Sequence, residues 1–217
     1  MTFMKITLLC SDGNHPVNVY LRRWMEKQRG VHDVELVQAK AQITGGTILF
    51  LISCSEIITV QDREKYQASL VLHASDLPRG RGWSPHIWEL AQGAEDITLS
   101  LLAAEDKVDS GEIWKKVRIP VPKHALWNEI NQLLFEAEVS LIDYAVSHFG
   151  QVIPKPQEMV EEVTTYYPRR TPQDSQLDVD KTIAEQFDLM RVCDPNRFPA
   201  YFEHLGHRYI LKLEKSQ

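Results

Sequence analysis

The sequence predicts an α/β fold with a mostly parallel, doubly wound sheet, on three observations. Short apolar runs at 5–10, 33–37, 47–54, 69–72 and 97–102 alternate with amphipathic segments at 17–28 and 85–92, a strand–turn–helix rhythm. The run at 47–54 is apolar throughout, as a strand covered on both faces must be. The run Leu70-Val71-Leu72 ends on His73 and gives way at once to a loop rich in Ser, Asp, Pro and Gly. That is the carboxyl end of a strand, where open α/β sheets bind ligands.

The elements follow in order. Residues 5–10 form a strand, and Ser11-Asp12-Gly13-Asn14-His15-Pro16 is a polar turn whose Asp or Asn can cap the next helix. Val17, Tyr20, Leu21, Trp24 and Met25 recur at three and four, so 17–28 is an amphipathic helix closed by Gly30. A strand at 33–37 precedes Gly45-Gly46 and the central strand 47–54, which places Ser53 and Ser55 at its carboxyl end. A helix or helical turn lies within 56–66, then the strand that delivers His73, a helix at 85–92 and a strand at 97–102. An acidic, turn-rich loop at 105–113 leads to an alternating strand at 114–121. Residues 124–149 form a long helix with Leu126, Ile130, Leu133, Leu134, Ala137, Leu141, Ile142 and Ala145 on its apolar stripe, stopped by Gly150. Prolines then interrupt the chain, 164–175 is an extended surface segment, 180–192 is a short helix, and 200–203 with 208–213 is a terminal hairpin. The division expected is a domain at 1–150 and an extension of linker, helix and hairpin at 151–217.

At 217 residues the chain suffices for one sizeable domain with a small appendage. A net charge of −6 argues against a phosphate-backbone surface, so nucleic acid is not an expected partner. Cys10, Cys54 and Cys193 are odd in number and far apart, which suits free thiols in a reducing compartment better than disulfides or a metal site. No basic-then-apolar leader opens the chain and no apolar run approaches the ~20 residues that span a bilayer, so a cytoplasmic protein without membrane contact is expected. Neither the Walker nor the dinucleotide glycine pattern is present. Tyr201, Phe202, Tyr209, Ile210 and Leu211 make an apolar patch that must pack on the core or on a second subunit, a homodimer through the extension being the second case.

Two polar loops that follow strands carry titratable groups and are expected to converge: His73 with Ser75, and Asp106 or Asp109 beside Ser110 and Gly111. A histidine and a carboxylate together can move a proton while a developing oxyanion is stabilised. On spacing alone each retains a plain alternative, a hydrogen-bonded structural histidine and a simple turn.

His73-Ala74-Ser75-Asp76-Leu77-Pro78, Arg81-Gly82 and Val108-Asp109-Ser110-Gly111-Glu112-Ile113 resemble the active-site loops of the folate-dependent formyltransferases. Arg169-Arg170-Thr171-Pro172-Gln173-Asp174-Ser175, with Asp194-Pro195 and Phe198-Pro199-Ala200-Tyr201-Phe202 beyond it, is similar to the tail of the nucleotide-sugar amine formyltransferases. The resemblance implies a Rossmann-like domain, 10-formyl-tetrahydrofolate as co-substrate with no metal, and a UDP- or dTDP-linked amino sugar as acceptor for surface polysaccharide synthesis. Other formyltransferases, of the glycinamide-ribonucleotide or methionyl-tRNA type, and a degenerate folate- or nucleotide-binding module are the alternatives. It further implies His73 and Asp109 as catalytic residues, with His73 stabilising the tetrahedral oxyanion or shuttling a proton and Asp109 taking a proton from the amine and orienting His73. Leu51, Ser53, Ser75, Leu77, Pro78, Gly82 and Asp106 would border the folate. Asn14, Arg79, Arg81, Trp83, Arg169 and Arg170 would meet the acceptor, the guanidinium forks suiting a diphosphate. One position departs from the family pattern Asn-x-His: residue 71 is valine, where the family asparagine helps to hold the formyl oxygen. Ser53, Ser55, Asn14 or a backbone N–H would substitute, or catalysis would be weaker.

Overall fold

The computed structural model describes residues 2–158 and 165–216, so Met1 of the opening segment and Thr164 of the extended segment lie outside the described residues. The chain runs β1 (Lys5–Leu9), α1 (Val17–Gln28), β2 (Asp33–Val37), β3 (Gly46–Ile52), α2 (Val60–Arg63), β4 (Tyr66–His73), β5 (Arg81–Gly82) and α3 (Pro85–Ala91). It continues with β6 (Asp96–Ala103), β7 (Ile113–Pro120), α4 (Trp127–Ser147), β8 (Tyr166–Tyr167), α5 (Ile183–Arg191), β9 (Ala200–His204) and β10 (His207–Leu211).

The main sheet has six strands in the order β2-β1-β3-β4-β6-β7. β2, β1, β3 and β4 are mutually parallel, whereas β6 is antiparallel to β4 and β7 to β6. The sheet is therefore mostly parallel, as expected, but the loop that carries Asp109 is the turn of a β6–β7 hairpin and does not leave a parallel strand. The physical reason lies in the connection: returning to a parallel neighbour takes a crossover of a dozen or more residues, and no helix separates these two strands.

Two cores clamp the sheet. On one face Ile6, Leu8, Ile48, Phe50, Ile52, Leu70 and Leu72 pack under α1 and α4, meeting Leu21, Trp24, Leu134, Phe135, Leu141 and Ile142. On the other, Leu9, Leu49, Leu51, Ile58 and Tyr66 form a second cluster that Val71 and Ala104 border. Burial of each such side chain contributes roughly 1.5–3 kcal/mol, which fixes which residues of β4 face which way and leaves its carboxyl end no freedom of register. α1 is not capped by Asp12 or Asn14. Asp12 instead builds the turn, accepting the Asn14 N–H on Oδ1 at 2.9 Å and the Asn18 amide on its carbonyl at 2.9 Å.

The extension has a small cluster of its own, in which Leu177, Met190, Cys193 and Ala200 are joined by Phe202 and Leu211. Arg191, 1% exposed, ties it to the main body by donating to the carbonyls of Pro122 and Ala94 and to Asp188 Oδ1. Of the hairpin's apolar residues Tyr201 is buried, while Tyr209 and Ile210 remain on the surface. The segment read as surface chain contains β8, which pairs in parallel with β5, Arg81 opposite Tyr166 and Gly82 opposite Tyr167. The loop beyond His73 is thus held in place by a strand from the extension.

Candidate active site

Apolar registry brings Val71 opposite Leu51 of β3 and Leu102 of β6, and His73 two residues further along the same face of β4. His73 is 8% exposed and its ring is engaged at both nitrogens. Nε2 lies 2.8 Å from the Gly80 carbonyl oxygen, and Nδ1 lies 3.5 Å from Asp109 Oδ1. A carbonyl only accepts, so Nε2 carries a proton and Nδ1 is the nitrogen that gains or loses one. Neutral, the ring presents a lone pair at Nδ1 for an incoming proton; protonated, it presents a second N–H beside a carboxylate. The pair is therefore equipped for both halves of an acyl transfer, taking a proton from a nucleophile and supporting an oxyanion.

Asp109 is 8% exposed and sits at φ 55, the left-handed region that few non-glycine residues occupy. Two contacts hold it there. Its Oδ2 accepts the Gly82 N–H at 3.0 Å, and the Gln157 side-chain amide donates to both the Asp109 and the Gly111 carbonyls at 2.9 Å. Gln157 in turn accepts from Arg81 at 3.1 Å, so one glutamine ties the two loops together. Gly82 has φ 97, and a Cβ there would lie 2.3 Å from the Tyr167 carbonyl oxygen; only glycine admits β8 this closely.

His73 and Asp109 face a cavity of about 600 Å³ over the carboxyl end of the sheet. One side of its lining belongs to the second core and its loops: Leu51, Ser53, Ser55, Val71, Ala104 and Asp106. The other belongs to the α1/α4 face, including His15, His86, Asn131, Leu134, Phe135 and Glu138. Of the four non-glycine residues with positive φ among the described residues, three, Ser53, Ser84 and Asp109, line this cavity. Backbone strain gathers where a site is preorganised.

The expected site residues divide accordingly. His73, Asp109, Leu51, Ser53, Gly82, Asp106, Trp83, Arg169 and Arg170 line the cavity. Ser75, Leu77, Pro78, Asn14, Arg79 and Arg81 do not: Ser75 and Leu77 are buried in the loop's own packing, Asn14 and Arg79 are exposed elsewhere, and Arg81 is 6% exposed with its guanidinium on Gln157. The Arg169 guanidinium lies 5.2 Å from the Trp83 ring, and Arg170 donates to the Asp174 carbonyl and to Ser175 Oγ. Val71 presents a hydrocarbon to the cavity. Ser53 and Ser55, beyond its partner Leu51, are the lining hydroxyls of that strand end, while Asn14 is not in the lining.

Sequence reasoning did not single out His15, His86, Glu138 or Gln157. His15 Nδ1 accepts the Val17 N–H at 3.3 Å, and burial, reinforced by Arg197, pushes its pKa down to about 4. His86 Nδ1 is closed off from solvent without a partner among the described residues, and burial, with His73 and His15 adding to it, lowers its pKa to about 3. Both imidazoles are neutral at physiological pH. Glu138 carried a legible signal: it falls four residues after Leu134 and three before Leu141, an acid on an apolar stripe. Gln157 carried none. Among the described residues no group of three or more His, Cys, Asp or Glu is placed to hold a metal ion.

A family profile described as formyl transferase matches residues 5–146. The chain belongs to this family. It is 24% identical over 154 residues to a methionyl-tRNA formyltransferase of Protochlamydia amoebophila, covering 70% of this chain and 48% of the relative; the chain spans about half the length of that curated relative. Among solved structures, a methionyl-tRNA formyltransferase from Clostridium thermocellum superposes with TM-score 0.80 at 19% identity, over 95% of this chain and 90% of its own. HypX from Aquifex aeolicus, in complex with tetrahydrofolic acid, gives 0.79 at 19% identity over 95% and 37%. A sugar N-formyltransferase from a Shewanella species gives 0.69 at 14% identity over 98% of both chains. These structural likenesses establish the fold, which is the Rossmann-like formyltransferase fold. Among the described residues no helix is long and apolar enough to cross a membrane.

Proposed function

We propose that this formyltransferase-family protein transfers the formyl group of 10-formyl-tetrahydrofolate to the amine of a UDP- or dTDP-linked amino sugar, as a cytoplasmic enzyme of surface polysaccharide synthesis. The observation that carries the chemistry is the buried His73–Asp109 pair facing a cavity that runs from one core of the sheet to the other. A cavity of about 600 Å³ is in the range that takes a cofactor-sized ligand. The folate would lie against Leu51, Ser53, Val71, Gly82 and Asp106, and the tetrahydrofolic acid complex of HypX supports that co-substrate. The acceptor would enter from the α4 side, with Trp83, Arg169 and Arg170 at its outer part. In the reaction the amine nitrogen attacks the formyl carbon, a proton passes from the amine to the His73–Asp109 pair, and the C–N bond to the folate breaks as its nitrogen recovers a proton.

The acceptor assignment is supported by the tail motif around Arg169–Ser175, by full-length likeness to a sugar N-formyltransferase, and by the acidic net charge of −6, which disfavours a tRNA. On this reading residues 1–150 are the catalytic domain and 151–217 an extension that completes the site. The exposed Tyr209 and Ile210 are the residues through which a homodimer would form. The test is incubation of the protein with 10-formyl-tetrahydrofolate and a panel of UDP- and dTDP-amino sugars, with methionyl-tRNA and glycinamide ribonucleotide as controls, the formylated product being read by mass. Formylation of an amino sugar, lost in His73→Ala, is expected. Formylation of a control alone overturns the acceptor assignment, and folate binding without any turnover favours a binding module.

A further inference from the structure

Glu138 projects from the middle of α4 and is 5% exposed, yet it is not packed away: it lines the cavity, on the side of His15, His86 and Phe135. Its Oε2 is shut off from solvent and has no hydrogen-bond partner among the described residues. No salt bridge to Glu138 is found among the described residues, although Arg197 at the same cavity is paired with Asp12 at 2.9 Å. A buried carboxyl in a stripe of leucines is destabilising unless it is satisfied, and its neighbours offer apolar contacts where a hydrophobe would pack better. Such a group is retained where its partner arrives from outside.

We propose that Glu138 is a specificity-determining residue of this site, hydrogen-bonding a hydroxyl or amine on the skeleton of the acceptor as it lies along α4. The inference rests on the amino-sugar reading above and deepens it by assigning the side of the cavity that takes the sugar ring. The chemistry of the surroundings fits an uncharged, polyhydroxylated ring. Burial pushes the Glu138 carboxyl up to about 8, so at neutral pH it is mostly protonated and both donates and accepts. His15 and His86, held neutral, and the Asn131 amide add donors and acceptors without charge. Phe135, its ring centroid 5.7 Å from that of His15, adds an apolar wall to the same lining. Arg169, Arg170 and Arg197 also line the cavity, so cationic groups stand at the same site for a diphosphate.

The experiment compares native protein, Glu138→Gln and Glu138→Leu in three measurements: thermal stability, KM and kcat for the amino sugar, and calorimetric binding of UDP or dTDP alone. Losing a buried hydrogen-bond partner is worth roughly a tenfold to hundredfold effect, so Glu138→Leu is expected to raise the acceptor KM by about that factor. Its melting temperature should be equal or higher, because an unsatisfied carboxyl has been replaced by a packing side chain. Glu138→Gln, which keeps a donor and an acceptor, should stay within about threefold of native, and affinity for the bare nucleotide should be the same in all three. An unchanged acceptor KM in Glu138→Leu, a lower melting temperature in that variant, or a Gln variant as impaired as the Leu variant each overturns the inference. Absence of nucleotide binding by native protein that still formylates a free amino sugar would instead overturn the nucleotide-sugar reading and leave the role of Glu138 to be judged by that sugar's KM.

Discussion

Substitution of Asp109 by asparagine changes one charge and almost no shape. Oδ2 of Asp109 receives the Gly82 N–H at 3.0 Å, and an asparagine carbonyl oxygen can receive it equally, which turns the amide N–H2 toward His73 Nδ1. The backbone contacts from Gln157 are untouched, so the change in folding stability should stay within about 1 kcal/mol. What is lost is the carboxylate 3.5 Å from Nδ1. That carboxylate is the partner that takes and steers the proton, and positioned acid–base groups of this kind are typically worth about 10²–10⁴ in rate. The assay is single-turnover formyl transfer at saturating acceptor and folate, alongside thermal melting of the same samples. A fall in kcat of about a thousandfold with an unshifted melt is expected. A variant within tenfold of native would refute the pairing of His73 with Asp109 as the origin of proton transfer.

Three further outcomes follow from the same geometry. Gly82→Ala forces a Cβ toward the Tyr167 carbonyl oxygen at a positive φ, so turnover should fall by at least tenfold and proteolysis at the β5–β8 segment should accelerate; native turnover and resistance would refute the close-approach argument. Ser53→Gly relieves a left-handed serine while deleting its hydroxyl; stability within about 1 kcal/mol and a measurable loss of kcat are expected, and unchanged turnover would remove Ser53 as the polar group compensating for Val71. Stability should peak near pH 6.5. His15 and His86 have folded pKa values near 4 and 3, below their unfolded 6.5, so acid favours the unfolded chain as pH falls from 6.5. Glu138 has a folded pKa near 8, above its unfolded 4.5, so its contribution is present below 4.5 and lost as pH rises toward 8. A melting temperature that climbs steadily from pH 4 to 8 would contradict these assignments.

The sequence carried more of the scaffold than of the site's wiring. The strands β1, β2, β3, β4 and β6 were legible because apolar runs bounded by Gly, Pro and Asp leave little choice, and α1 and β2 match the expected spans to the residue; β5, an Arg-Gly pair inside a loop, was not. The direction of β6 was not legible from its composition, since hydrophobicity encodes burial and not polarity of travel. The shortness of the link to β7 showed only that β7 returns antiparallel to β6. His73 stood out at the break in an apolar run, whereas its pairing with Asp109 came from the resemblance to formyltransferase loops, since the pattern alone left Asp106 equally open. Arg81 misled for a related reason: a guanidinium reads as surface charge, and here it is an internal tether on Gln157. Glu138 was readable as an anomaly in α4. The strain at Ser53, Ser84 and Asp109 was not readable, because serine and aspartate occur in unstrained turns as readily.

The short pairing of β5 with β8 bears on when the candidate site is completed as the chain is made. All six strands of the main sheet, with His73 and Asp109, precede residue 121, while α4, which covers one face, and then Gln157 and Tyr166–Tyr167, which hold the two loops against each other, emerge from the ribosome later. A chain made as far as α4 therefore has the cover of its sheet while the loops of its histidine and aspartate are still untied. The geometry that joins His73 to Asp109 is thus completed only once Gln157 and Tyr166–Tyr167 have been added.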